Sequence, residues 1–176
     1  MGSFAVIGHV AIDRIVFGDG DRIQIGGPPT YSAVVSGVMN RNIEFVTKAG
    51  EDLTRDMINR WNELGLIIQD HIVEDGETTT FSINYRNDER EMKVESICEE
   101  ITLQDIHDLP DTAILSPIIG EVPAPVASEI RTDILALDPQ GYLRKVKEVG
   151  IIALEPWFDE ELLRRVTIFK ASGGEA

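Results

Sequence analysis

Short, nearly continuous apolar runs recur along this chain, separated by segments whose apolar residues repeat every three to four positions. Phe4-Ala5-Val6-Ile7 reads as a buried strand that stops at Gly8. Ile43–Val46, Ile114-Leu115, Ile134–Leu137 and residues 150–154 and 166–169 supply five more. Continuous apolar strands of this kind arise in sheets covered on both faces. Between them lie helix candidates at Pro28–Met39 and at residues 54–64, 102–108, 125–129 and 159–165. In the second, Thr54 is the N-cap, Met57, Ile58, Trp61 and Leu64 form the stripe, and Gly65 is the stop. Strand–helix alternation predicts an α/β fold with a largely parallel sheet flanked by helices.

Two segments break the alternation. Residues 14–25 read as two short strands around Gly18-Asp19-Gly20-Asp21, a hairpin-turn composition. Residues 78–97 alternate polar and apolar positions, with Phe81, Ile83 and Tyr85 answered by Met92 and Val94 across the polar turn Asn87-Asp88-Glu89-Arg90. Each is a hairpin with one apolar face, which the main domain, a substrate or another subunit must cover.

The 176 residues suit one domain with a real core. Sixteen Lys and Arg against 31 Asp and Glu give a formal charge of −15, which argues against nucleic-acid or anionic-membrane surfaces. A single cysteine, Cys98, excludes an internal disulfide framework and fits a reducing compartment. Cys98 has no basic neighbour within four residues to activate it. His9, His71 and His107 show no metal-ligand spacing. No apolar run approaches the roughly 18 residues of a membrane span. No secretory signal opens the chain, so a cytoplasmic location is expected. The acidic stretch at residues 88–100 reads as solvated, and Trp61 and Trp157 as packing residues.

Ligands of open α/β sheets bind beyond the carboxyl ends of the strands, and three motifs fall there. In Gly8-His9-Val10-Ala11-Ile12-Asp13 a carboxylate follows the first strand. It either accepts hydrogen bonds from vicinal sugar hydroxyls or caps the turn into the hairpin. Gly26-Gly27-Pro28-Pro29-Thr30 allows close backbone approach to a ligand and presets a first helical turn, where free N–H groups could donate to substrate oxygens; glycine and proline also favour a plain strand-to-helix turn. In Lys48-Ala49-Gly50-Glu51-Asp52, Lys48 either serves an anionic group or is solvated, and Asp52 assists the following helix cap. Asp138, at another strand end, either faces the cleft or shapes the turn at Pro139, while Arg144 either meets a phosphate or makes a structural ion pair. The P-loop and dinucleotide glycine motifs are missing, as is the Gly-x-Ser-x-Gly elbow, which disfavours P-loop enzymes, nicotinamide dehydrogenases and α/β hydrolases.

Taken in order, these pieces resemble the N-terminal part of the ribokinase (PfkB-type) carbohydrate kinase family. The likeness runs through Gly8 to Asp13, the short strands, Gly26-Gly27, Gly50-Glu51-Asp52, Leu64-Gly65-Leu66, Thr78-Thr79-Thr80-Phe81 with Arg90, and Asp138-Pro139-Gln140-Gly141-Tyr142-Leu143-Arg144. It implies a single ribokinase-like domain with a small antiparallel β lid, its strands within residues 14–25 and 78–98. It also implies transfer of the ATP γ-phosphoryl group, with Mg2+, to a hydroxyl of a sugar, nucleoside or polyol. Asp13 would bind acceptor hydroxyls and Gly26 and Gly27 would lie against the acceptor, with Tyr31, Lys48 and Asp138 as further substrate-binding candidates. Such lids often form homodimer contacts.

The sequence departs from the family pattern in two places. Tyr31 stands where many of the sugar kinases carry Asn, so a nucleoside or inositol-like acceptor becomes as plausible as a ribose-like one. The family's Gly-Ala-Gly-Asp motif, which carries the catalytic base, would lie further along than Ala176. Gly18-Asp19-Gly20-Asp21 lies between strands and cannot replace it, because no helix N-terminus follows. In Ser172-Gly173-Gly174-Glu175, Glu175 matches the glutamate of the family's magnesium-organising Asn-x-x-Glu. The expectation is therefore an acceptor-binding half of a kinase, incomplete at its C-terminal side. The alternatives are a catalytically inert binding or assembly module and an unrelated nucleotide-binding α/β domain.

Overall fold

A computed structural model describes residues 3–17, 20–86 and 89–173. Along the chain run β1 (Phe4–Ile7), β2 (Ala11–Phe17), β3 (Gly20–Gly26), α1 (Pro28–Met39), β4 (Ile43–Val46), α2 (Arg55–Glu63), β5 (Thr80–Arg86) and β6 (Glu89–Ser96). There follow β7 (Thr112–Leu115), α3 (Ala124–Ala127), β8 (Ile134–Leu137), α4 (Gln140–Leu143), β9 (Arg144–Val146), β10 (Ile152–Leu154), α5 (Glu160–Leu163) and β11 (Ile168–Phe169).

Five strands pair in parallel in the order β11-β8-β7-β1-β4. One face of this sheet presents Ala5, Ile7, Ala113, Leu115, Leu135 and Leu137 to a core completed by Val126, Ile130 and Leu162. Near β1 and β4 a second cluster, with Ala33 of α1 and Trp61 of α2, packs on Val10 and Ala49. The outer side of α1 leaves Val34, Val35, Val38 and Met39 exposed. This is the expected α/β architecture, a largely parallel sheet flanked by helices.

The two hairpins do not stand apart. β2 pairs antiparallel with β3, β5 with β6, and β2 joins β5 in parallel, giving one four-stranded sheet in the order β3-β2-β5-β6. Asp13 lies opposite Phe81, Phe81 opposite Val94 and Ile83 opposite Met92, so these side chains share one face. That face closes on Ile118 and Ile119 of the main domain, which answers what covers its apolar side.

Several local expectations change. Residues 102–108 form turns instead of a helix: the Asp105 carboxylate accepts from the Thr102 N–H and hydroxyl, a side-chain competitor to helical hydrogen bonding. Residues 150–154 were expected in the core sheet, but β10 pairs antiparallel with β9 after Val149 and Gly150 reverse the chain at positive φ. The last strand shrinks to two residues, and the last two expected helices, α3 and α5, to one turn each. Thr54 caps α2 through the Met57 N–H, and Gly65 beyond it has φ +85°.

Candidate functional site

Parallel strands end on one side of the sheet, and the residues just past them gather there. Ser116 follows β7, Asp138 follows β8 and Lys170 follows β11. All three line a cleft of about 560 Å³ whose other wall is Ala11, Asp13, Phe81, Ile83 and Met92 of the smaller sheet. Gly27, Pro28, Tyr31 and Ser32 from the start of α1 complete its floor. The structure thus brings Asp13, Gly27, Tyr31 and Asp138 to one opening.

Gly26 adjoins the same group. A Cβ on Gly26 would stand 2.5 Å from Asp13 Oδ2, and a Cβ on Gly27 would stand 2.4 Å from the His9 carbonyl oxygen. Gly27 also takes φ +85°, where side chains are strained. Only glycine lets the turn pass so close to the carboxylate. Pro28 and Pro29 carry no N–H, so the helix start offers fewer donors than its position suggests; of the first-turn groups, Gly27 and Thr30 keep theirs. The Thr30 hydroxyl donates to the Gly26 carbonyl and accepts from the Trp61 indole at 2.7 Å.

The cleft is mixed in character. Asp138 Oδ2 holds Lys170 Nζ at 2.8 Å, and its Oδ1 accepts from the Gln140 N–H at 3.3 Å. Arg144 lies over the Phe81 ring, 5.6 Å from its centroid, and donates to the Ile118 carbonyl at 2.9 Å. Phe81, Ile83, Met92, Ile114 and Ile118 supply apolar surface against which a carbon skeleton can rest.

Behind the site runs a buried polar network. The Glu121 carboxylate accepts N–H bonds from His9, Ile118 and Ile119 at 2.8–2.9 Å. His9 Nε2 must donate to the Glu99 carbonyl, since a carbonyl only accepts, leaving Nδ1 to accept from the Thr79 hydroxyl at 2.9 Å. Burial holds the His9 imidazole below its ordinary range, against the raising influence of Glu121. This network ties β1, the root of β5 and the 116–121 loop together.

Lys48 lies elsewhere. It pairs with Asp105 at 3.1 Å, donates to the Glu100 carbonyl and lines a separate cleft with Glu44, Asp70, His71 and His107. Although burial opposes it, hydrogen bonds from Thr102 and the Lys48 ammonium hold the Asp105 carboxyl below its ordinary range. Asp52 does not cap α2: its Oδ1 accepts from both the N–H and the hydroxyl of Thr78. Glu175 lies outside the described residues. Among the described residues no group of three or more His, Cys, Asp or Glu side chains could hold a metal ion. Sequence reasoning passed over Ser116 and Lys170, although each directly follows an apolar strand, and over Glu121, whose burial no local pattern announces.

No protein-family model and no curated protein sequence matches the chain. Solved structures do. A pyrophosphate-dependent kinase in the ribokinase family, complexed with a pyrophosphate analog and myo-inositol, aligns at TM-score 0.75 and 21% identity, over 94% of this chain and 60% of its own. Ribokinase from Thermotoga maritima aligns at TM-score 0.73 and 16% identity, over 99% of this chain and 61% of its own. A pyrophosphate-dependent myo-inositol-1 kinase converted into a myo-inositol-3 kinase aligns at 0.72 and 23%, over 94% and 58%. The fold is ribokinase-like, and the chain spans about 60% of the length of these neighbours.

Proposed function

We propose that this chain belongs to the ribokinase-type carbohydrate kinases and supplies their acceptor-binding half, holding a sugar, nucleoside or polyol for phosphorylation of one hydroxyl. One observation carries this: Asp13 and the Gly26-Gly27 turn meet at the carboxyl ends of the parallel strands, in a cleft that the four-stranded sheet roofs. The Asp13 carboxylate accepts hydrogen bonds from adjacent hydroxyls, the glycines let the acceptor lie against bare backbone, and Tyr31 borders the same floor. Phe81, Ile83 and Met92 form the underside of the lid and keep water from competing for the phosphoryl group.

The phosphoryl donor is ATP with magnesium or, as in the pyrophosphate-dependent neighbours, pyrophosphate. Among the described residues no cluster of His, Cys, Asp or Glu suits the metal. The donor side and the general base would come from further polypeptide. The exposed apolar stripe of α1 is suited to burial against such a portion, and the lid edge to a homodimer contact in a cytoplasmic enzyme. A second reading, in which the same cleft serves a binding or assembly module without phosphotransfer, uses the same Asp13 and Gly27 contacts.

Calorimetry of the chain with myo-inositol, ribose, fructose and adenosine, in parallel with an ADP and phosphate release assay, tests both. Binding that Asp13→Ala abolishes supports the acceptor site, and turnover by a longer form that carries the donor side separates kinase from module. No binding to any of the panel, by a folded chain, would count against the acceptor reading.

A further inference from the structure

We infer that Thr30 is a positioning residue for the acceptor site, setting the place of the diglycine turn and, through it, of the Asp13 carboxylate. The inference rests on the acceptor reading above. Thr30 is buried at 3% exposure and Trp61 at 0%, so neither side chain touches solvent freely. The indole Nε1 can only donate and the Gly26 carbonyl can only accept, so the one hydroxyl proton of Thr30 has a forced direction: from Trp61 into Thr30, from Thr30 into Gly26. The chain of bonds therefore has a single arrangement.

That arrangement matters because, beyond the pairing of Gly26 with Ala11 and the Tyr31 N–H on the Gly27 carbonyl, the turn has little side-chain anchoring. Pro28 and Pro29 bring no N–H to it, and Gly26 and Gly27 have no side chains to anchor. Gly26 borders Asp13 so closely that a methyl group does not fit between them. A shift of a few tenths of an ångström at the Gly26 carbonyl is passed to the carboxylate. α2 thereby reaches the cleft through Trp61 without lining it.

The experiment compares the full chain, labelled with 13C and 15N, as wild type, Thr30→Val, Thr30→Ser and Trp61→Phe. It reads the Gly26 and Gly27 amide and Asp13 carboxyl signals and titrates myo-inositol and ribose. Valine keeps the shape and removes the hydroxyl, so it moves those signals and weakens acceptor binding by about tenfold, the scale of one misplaced hydrogen bond. Serine restores both. Trp61→Phe moves the same signals in the same direction and stands in for valine if that variant does not fold. Signals that stay in place, or that move while affinity is unchanged, overturn the inference. If wild type binds neither sugar, the acceptor reading falls and the signals alone decide the role of Thr30.

Discussion

Gly26 leaves just enough room for the Asp13 carboxylate: a Cβ added to the glycine would come within 2.5 Å of Oδ2 and 3.1 Å of Cγ. The atoms it would meet are the far end of a side chain, which can rotate, so Gly26→Ala is expected to fold and to displace the carboxylate. Acceptor binding should fall by at least about tenfold with melting nearly unchanged, since one lost hydrogen bond is already worth that factor. Calorimetry beside a thermal melt checks it. Gly27→Ala differs in kind. There the added carbon meets backbone and φ is +85°, so the loss appears as stability, on the order of 1–3 kcal/mol or more.

His9 gives the fold a pH dependence. Burial lowers its folded-state affinity for a proton below the ordinary value of 6.5, so the unfolded chain binds more protons as pH falls. The stability is fully present above about pH 6.5 and is lost below it, by at most about 1.4 kcal/mol per pH unit for this group. His71, lowered by the same cause, adds in the same direction. Urea unfolding at pH 7.5, 6.5 and 5.5 should show the decline, less steep in His9→Gln. A flat wild-type profile would contradict the argument.

Asp52 holds the root of the lid. Its Oδ1 accepts two bonds from Thr78, while the Thr78 hydroxyl accepts from the Gly50 N–H at 2.9 Å. The Thr78 carbonyl in turn accepts from the hydroxyls of Thr80 and Ser96, one on each strand of the second hairpin. Asp52→Ala should cost about 2 kcal/mol, the scale of hydrogen bonds to a charged group. Hydrogen exchange should accelerate first in β5 and β6, whereas a uniform change across the chain would place the clasp elsewhere.

Burial pushes the Cys98 thiol up to about 11 from 9.0. Two pH units leave on the order of one hundredth of the usual thiolate at neutral pH, so alkylation of the native protein should lag the unfolded protein by at least that factor. Comparable rates with and without urea would show that the thiol is accessible.

Much of this arrangement was legible in the residue pattern, and the exceptions have physical causes. The bounds of α1 and β8 follow directly from proline placement and an unbroken apolar run. The motifs at Asp13, Gly26-Gly27 and Asp138 anticipated residues at or beside one opening: Gly27 precedes a helix and Asp138 follows a strand, while Asp13 lies within β2. Lys48 looked equivalent by that criterion but faces another cleft, since the Asp105 turn captures its ammonium. Residues 102–108 carried helical spacing, yet Thr102 found a closer partner in the Asp105 carboxylate. The burial of Glu121 depends on the His9 N–H, a neighbour that no local window contains, and β10 pairs with β9 because Val149 and Gly150 turn the chain back at positive φ.

The parallel pairing of β2 with β5 has a mechanical consequence. Main-chain hydrogen bonds lock the two hairpins into one plate, so neither ribbon can swing by itself over a bound molecule. Any opening has to pivot the whole plate about its roots at residues 8–11, 26–27, 78–80 and 96–98, where the Glu121, Thr30 and Asp52 bonds are concentrated. In the proposed acceptor reading, the pivot and the acceptor contacts thus lie side by side, and loosening one loosens the other.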